Sequence, residues 1–300
     1  MGVMTIDYVV PMVFHDDPLW QADFLKVGAR YNESRLTEFV RWRSWGTERL
    51  LIQCVKKFMP FVRTIYILLA RESQKQAWMD KEGVRIVYHK DFIPKEFLPT
   101  FNSATIEMFL HRIPGISDMF IYGNDDIFPL SLVNVEDFFR GDLPCLHYDE
   151  EPLPQYPNIF LSSCRNGLNF VGSEFGKKYT NTWLKGSHGL TPMIKSTYEH
   201  LWTRGSNAIR CSISPMREEK NFYQWIIPWW HYLSGNYVDS TLKTKYVSVR
   251  QSVDEVVSAI RSNESSIVCI NDHECELDYM KYGLAIKDAI GQLLISNKKS

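Results

Sequence analysis

The chain has 300 residues, 45% of them hydrophobic and 14% aromatic, with a formal net charge of -1. That is ample for one large domain with a real core and excludes a disordered chain. The near-neutral balance excludes a nucleic-acid binder that works by neutralising phosphates, so an anionic ligand must be met by local charge.

At the start of the chain no basic segment precedes an apolar stretch, and no later run approaches bilayer-spanning length. Met1-Gly2 begins like a myristoylation signal, but Ile6 stands where Ser or Thr is needed. Six cysteines (Cys54, Cys145, Cys164, Cys211, Cys269, Cys275) are irregularly spaced with no C-x-x-C pair, so neither a zinc site nor a disulfide framework is indicated. The expectation is a cytoplasmic protein with no transmembrane segment, peripheral to the inner face of a membrane only through partners.

Strand-like and helix-like segments then alternate: a strand over 8–13, a helix over 48–58, a strand over 64–69 and another over 84–88. Pro60 closes the helix and Gly83 marks the turn before the last of these. The alternation predicts an α/β fold with a largely parallel, Rossmann-like central sheet flanked by helices. Asn102 or Ser103 caps a helix whose apolar positions Ile106, Phe109, Leu110 and Ile113 recur at helical spacing, and 119–122 forms a short apolar strand. That strand empties into Asn124-Asp125-Asp126. In open α/β sheets ligands bind at strand carboxyl ends, where paired carboxylates can hold a divalent cation against a diphosphate, although acidic residues there also terminate sheets and cap helices.

From 141 to 186 periodicity breaks down among Pro144, Pro152, Pro154 and Pro157, which reads as an irregular inserted cap. Thr191-Pro192 reads as a helix start, with Ile194, Tyr198, Leu201 and Trp202 on the helix face. Ser252 to Glu255 is a capping box for a helix ending near Ser262. A strand over 266–270 reaches Asn271-Asp272, and 277–295 is an amphipathic helix expected to pack on the sheet. Asp272 also reads as a helix N-cap supported by Glu274.

His188, in a loop feeding a helix, has the freedom to act as a general base, whereas His231 lies among Trp229, Trp230 and Tyr232 and reads as packed. Arg217 could clamp a phosphate or pair with Glu218 and Glu219. Arg41, Arg43 and Arg49 also fit a solvated helix face. The aromatic run 222–232 could stack on sugars or fill core. No G-x-G-x-x-G or P-loop pattern occurs.

Four blocks in order resemble the Stealth family of sugar-phosphate transferases, which includes bacterial capsular polysaccharide phosphotransferases and the lysosomal-targeting N-acetylglucosamine-1-phosphotransferase. They are Ile6-Asp-Tyr-Val-Val10; residues 41–139 with Val87-Tyr-His-Lys-Asp-Phe-Ile93, Leu98-Pro-Thr-Phe-Asn-Ser103 and Asn124-Asp125-Asp126; residues 188–202 with Met216-Arg217; and Ile267-Val-Cys-Ile-Asn-Asp272. Residues 11–17 depart from the family's Trp-Val-Asp-Gly-like run. The resemblance implies one catalytic domain over 1–300: a nucleotide-sugar-binding half (1–140), a cap with the catalytic His and Arg (141–245), and a C-terminal strand with helices (246–300).

It further implies transfer of a hexose or N-acetylhexosamine 1-phosphate from a UDP-sugar to a hydroxyl of an oligosaccharide or polysaccharide in capsule synthesis, with release of UMP. In that scheme Asp125 or Asp126, together with Asp272, holds Mg2+ (or Mn2+). His188 is the general base, and Arg217 holds the phosphoryl group. Asp7, Asn102, Ser103, Arg43 and Asn124 line the substrate pocket. Two rivals are a metal-dependent glycosyltransferase that releases UDP and a non-catalytic glycan-binding module.

Overall fold

A computed structural model describes residues 5–31, 42–154, 156, 158–262, 264–272 and 279–296. Strands β1 (Ile6–Pro11), β2 (Val62–Leu69), β3 (Val84–Tyr88) and β4 (Met119–Tyr122) pair in parallel in the order β4-β1-β2-β3. The expected parallel α/β sheet is therefore present. Because side chains alternate along a strand, the sheet feeds two cores. Tyr8, Val10, Ile65, Ile67 and Ile121 face one, and Val9, Tyr66, Leu68, Phe120 and Tyr122 face the other.

Helix α1 (Pro18–Gly28) starts with Pro at its first position, and the Asp17 carboxylate accepts from the Leu19 N–H at 3.2 Å. Helix α2 (Glu48–Phe58) turns Leu51, Ile52, Val55 and Phe58 into the first core, as its spacing requires. After β3 comes the single turn α3 (His89–Phe92). Helix α4 (Ser103–Glu107) has the expected Asn102 cap but ends six residues short of Ile113 and gives way to a tight 3₁₀ turn over Leu110–Arg112. Beyond β4 the chain turns through Asn124-Asp125-Asp126 into β5 (Ile127–Pro129).

The 141–186 stretch is more ordered than its prolines suggested. Short β6 (Phe139–Arg140) and β7 (Leu143–Leu146) pair, and β8 (Tyr148–Pro152) is antiparallel to β9 (Thr182–Gly186). Between the last two lies the fourteen-residue α5 (Ile159–Gly172), capped by Asn158. Pro144, Pro152 and Pro154 sit at strand and loop positions ahead of this helix, so they punctuate structure instead of preventing it.

Thr191-Pro192 does not start a helix. Residues Thr191–Ile194 form β10, antiparallel to β4 at the sheet edge, and α6 begins at Lys195 and runs to Ser212. An edge strand tolerates Pro192 because one side of its ladder needs no partner. Helix α7 (Ile226–Ser234) buries Ile226, Ile227 and Trp229, so most of the aromatic run is core. The two-residue β11 (Val238–Asp239) pairs with β7.

The last part of the chain builds a second sheet in the order β12 (Thr244–Ser248), β13 (Ile267–Asn271), β5. The expected capping box is present: Ser252 and Glu255 bond each other's backbone N–H at 3.2 and 2.8 Å, starting α8 (Val253–Arg261). Helix α9 (Tyr279–Ser296) packs chiefly on α2 and α8. Residues 141–245 thus lend β10 to the first sheet, and β13 pairs with β5 from the first half.

Candidate active site

The carboxyl end of β4 leads into Gly123, which has no room for a side chain: a Cβ there would lie 2.6 Å from both the Tyr8 hydroxyl and Leu190 Cδ2. Asn124 follows, its Oδ1 accepting from the Tyr122 hydroxyl at 3.0 Å. A cleft at this point is lined by Tyr122, Gly123, Asn124, His188, Gln224 and Trp225. Beneath it, β13 is pinned to the acidic turn, because the Ile270 N–H donates to the Asp126 carbonyl at 2.9 Å.

The turn presents Asp126 toward His188 and Cys269. One ligand atom from each of the three lies within 4.8 Å of the others, and Cys269 Sγ donates to Asp126 Oδ2 at 3.6 Å. Asp126 Oδ1 is buried with no hydrogen-bond partner among the described residues. Burial raises the Asp126 pKa, while the charges of His188 and Arg217 pull it back. Asp126 and His188 therefore stand together, and the charge of Arg217 reaches the same carboxyl. The His188 ring is held edge-on by Trp225 and Tyr246, at centroid distances of 6.5 and 5.7 Å.

Asp125 is not part of that cluster. Part of its surface reaches solvent, yet burial of its carboxyl, with Asp126 and Glu48 nearby, pushes it up to about 8. Ser103 earns its place indirectly: its hydroxyl accepts from Arg217 Nη2 at 2.9 Å and so positions the guanidinium.

The structure gives four of the expected site residues partners inside the protein. Asp7 is fully buried near the amino end of β1, away from the strand ends that face the cleft. Its carboxylate accepts Arg63 Nε and Nη2 at 2.9 and 2.6 Å and both the N–H and hydroxyl of Ser117 at 2.8 Å, which leaves nothing to offer a nucleotide. Asn102 is also fully buried. Its Nδ2 donates to the Ser214 and Met216 carbonyls and to Asn221 Oδ1, and its Oδ1 caps α4 at Ala104, so it fastens the Arg217 loop instead of touching substrate. Arg43 and Asp272 are spent on each other through two hydrogen bonds of 2.5 and 2.7 Å, with the guanidinium over the Tyr279 ring at 4.8 Å. Each Asp272 oxygen thus accepts one bond from Arg43, and the carboxylate faces that guanidinium.

Two site residues escaped the sequence reading. Glu107, 2% exposed, accepts from the Tyr122 hydroxyl at 3.1 Å and the Gln224 N–H at 3.0 Å. Burial lifts its carboxyl to about 7 even though those bonds and Arg217 work to lower it. The signal was an acid inside the otherwise apolar run 106–110. Cys269 was masked by its place in an apolar strand; its register opposite Ile127 brings it to Asp126.

The donor set allows a cation test. Magnesium prefers oxygen ligands and is usually held by one or two carboxylates plus substrate phosphates. The unpartnered Asp126 Oδ1 fits that role, while His188 and Cys269 suit a softer ion. Among the described residues, Asp126 is thus the one expected ligand with a free, inward-facing oxygen beside His188.

Residues 41–144 match the Stealth protein CR2 description, conserved region 2. A capsular polysaccharide phosphotransferase of Actinobacillus suis is 32% identical over 257 residues, spanning 82% of this chain and 69% of that protein. The chain belongs to the Stealth family. Within the family, the capsular polysaccharide phosphotransferase WcwK of Streptococcus pneumoniae is 28% identical over 91% of both chains. The receptor polysaccharide phosphotransferase WefC of Streptococcus oralis is 29% identical over 89% of this chain and 90% of its own. This Stealth protein is accordingly a transferase enzyme, and the non-catalytic module reading is set aside. Among solved structures, galactosyltransferase LgtC aligns over 98% of the chain at 9% identity with a TM-score of 0.42, too loose a likeness to argue from.

Proposed function

We propose that this Stealth protein transfers a hexose or N-acetylhexosamine 1-phosphate from a UDP-sugar to a hydroxyl of a surface polysaccharide, forming a phosphodiester and releasing UMP. The observation that supports this reading best is the meeting of His188 and Asp126 at the end of β4, with the charge of Arg217 acting on Asp126. In-line attack on the β-phosphorus needs a deprotonated nucleophile and a held, neutralised phosphoryl group, since such catalysis is mostly positioning and electrostatics.

His188 takes the proton of the acceptor hydroxyl. Asp126, whose charge interacts with His188, steadies the imidazolium that results. Arg217, oriented by Ser103, holds the equatorial phosphoryl oxygens as a planar fork. The acceptor oxygen bonds to the β-phosphorus as the bond from that phosphorus to the bridging oxygen breaks, and the pair of electrons leaves on UMP. A magnesium ion on Asp126 would neutralise phosphate charge when bound. Glu107 positions the turn: it holds the Tyr122 hydroxyl, which in turn meets Asn124.

No described helix is long and apolar enough to cross a membrane, so association with the inner face of the membrane would run through partners or the growing polymer. The rival is attack at the anomeric carbon with loss of UDP. Incubation with UDP-glucose, UDP-galactose, UDP-N-acetylglucosamine or GDP-mannose and an acceptor, with and without magnesium, separates them. Nucleoside monophosphate as product supports phosphoryl transfer; nucleoside diphosphate as the sole product rejects it.

A further inference from the structure

A second cavity, of about 330 Å3, opens at the amino end of β4, lined among others by Asp118, Asp142, Ser196, His200, Trp230 and His231. Its size falls within the usual range of small-molecule sites, about 300–1,000 Å3. Met119 lines this cavity and Tyr122 lines the catalytic cleft, so the two lie at opposite ends of β4, about 10 Å apart along the strand. The segment carrying β10 also joins them: His188 and Gly189 line the cleft, and Ile194 and Ser196 line the cavity.

The cavity's groups are fixed before any ligand arrives. Trp230 Nε1 donates to Glu174 Oε2 at 2.9 Å, and the same oxygen meets His200 Nε2 at 3.1 Å, which sets the plane of the half-buried indole. Asp118 Oδ1 accepts from the Ser196 N–H at 3.0 Å. His231, buried, is held by the Thr197 hydroxyl at 2.7 Å and the Asn236 carbonyl at 3.1 Å. Two carboxylates with no lysine or arginine among the lining residues repel phosphate, so the nucleotide sugar is not the occupant. A rigid aromatic surface flanked by carboxylates, a hydroxyl and an imidazole suits a neutral polyhydroxylated ring, with its C–H face on the indole and its hydroxyls on the acceptors.

We propose that this cavity holds a sugar of the acceptor glycan distant from the reacting hydroxyl, with Trp230 as the stacking surface and Asp118 and Asp142 as hydroxyl acceptors. The inference rests on the reading that the acceptor is a glycan. Its kinetic consequence is that long acceptors bind better than short ones while the chemical step is untouched: Trp230→Ala raises KM for an oligosaccharide acceptor about tenfold, the size of one lost stacking contact, and leaves kcat and the KM for a short acceptor unchanged.

The direct test uses the full chain labelled with 5-fluorotryptophan, the Trp230 resonance being assigned from Trp230→Phe. The probes are oligosaccharides cut from the source organism's own surface polysaccharide, with UMP as the anionic control. Saccharide should move the Trp230 resonance and UMP should not, and Asp142→Asn, at an exposed position, should weaken the saccharide effect about tenfold without unfolding the protein. A resonance moved by UMP, or unmoved by the saccharides, overturns the proposal. If donor cleavage to UMP proceeds while the resonance stays still, only this inference fails. If the resonance responds and no UMP forms, only the phosphotransfer reading fails.

Discussion

Replacing Glu107 by Gln separates the charge of this buried acid from its shape. In the folded protein the carboxyl titrates near 7 in place of 4.5, chiefly because it is buried. The unfolded chain loses the proton near 4.5 and the folded chain keeps it to about 7, so between those values the native state binds the extra proton and stability falls as pH rises. At 1.36 kcal/mol per unit, the gap corresponds to about 3 kcal/mol of native-state cost, present in full above pH 7 and absent below 4.5. Gln carries no such titration. It can also reproduce the contacts: Oε1 accepts from the Gln224 N–H, and Nε2 donates to the Tyr122 oxygen, whose own proton then goes to Asn124 Oδ1, already 3.0 Å away. The variant should therefore match the wild type near pH 4.5 and be more stable by about 2–3 kcal/mol at pH 8, or about 5 °C in Tm for a chain of this size. Urea unfolding from pH 4.5 to 8.5, followed by circular dichroism, reads the difference curve directly. A difference that does not change with pH, or a variant less stable at every pH, would refute the assignment of a protonated, burial-strained acid at this position.

Asp126→Asn should abolish nucleotide release while leaving Tm level or slightly raised, because Oδ1 has no partner to lose and a buried charge is removed; calorimetry showing a large loss would make Asp126 structural. Asp7→Ala should behave in the opposite way, costing about 3 kcal/mol by stranding the Ser117 N–H and the Arg63 pairing, with normal kcat for the folded fraction; reduced kcat at full folding would return Asp7 to the site. Asp272→Asn should loosen the Arg43 clasp, detected as faster amide exchange in α9, without altering the magnesium concentration for half-maximal activity, and a large rise in that concentration would restore Asp272 as a ligand. Gly123→Ala should cut activity severely, since its Cβ would push on the Tyr8 hydroxyl and on Leu190 next to the His188 loop; a fully active variant would show that the turn adapts freely.

What the sequence made legible follows from how local each signal is. Helix α2, β3 and β4 were read to the residue because their apolar spacing and the Gly and Pro stops at their ends are contained within each segment. The Thr191-Pro192 reading failed because the same dipeptide suits a helix start or a sheet edge, and only the unfilled side of β4, distant in sequence, decides between them. Helix α5 was missed for a related reason: the prolines dominate a local reading, but they all precede the helix.

The site divides along the same line. Asn124, Asp126, His188, Ser103 and Arg217 stand in loops or at helix starts, where a polar residue has no packing duty and its chemistry can be read at once. Asp7 and Asn102 belong to the same motifs, yet burial has already spent their hydrogen-bonding capacity on Ser117 and the Arg217 loop, while Arg43 pairs with Asp272. A motif residue that saturates its partners inside the protein holds the site in shape, whereas one with an atom left over faces the substrate. Asp126 Oδ1 is such an atom. Glu107 lies between the two groups, because its oxygens are fully bonded but its proton is still mobile near neutral pH. Its visible signal, an acid in the apolar run 106–110, reads as an error of patterning until the fold places Tyr122 and Gln224 beside it, and such breaks in a local rule are where functional positions should be sought.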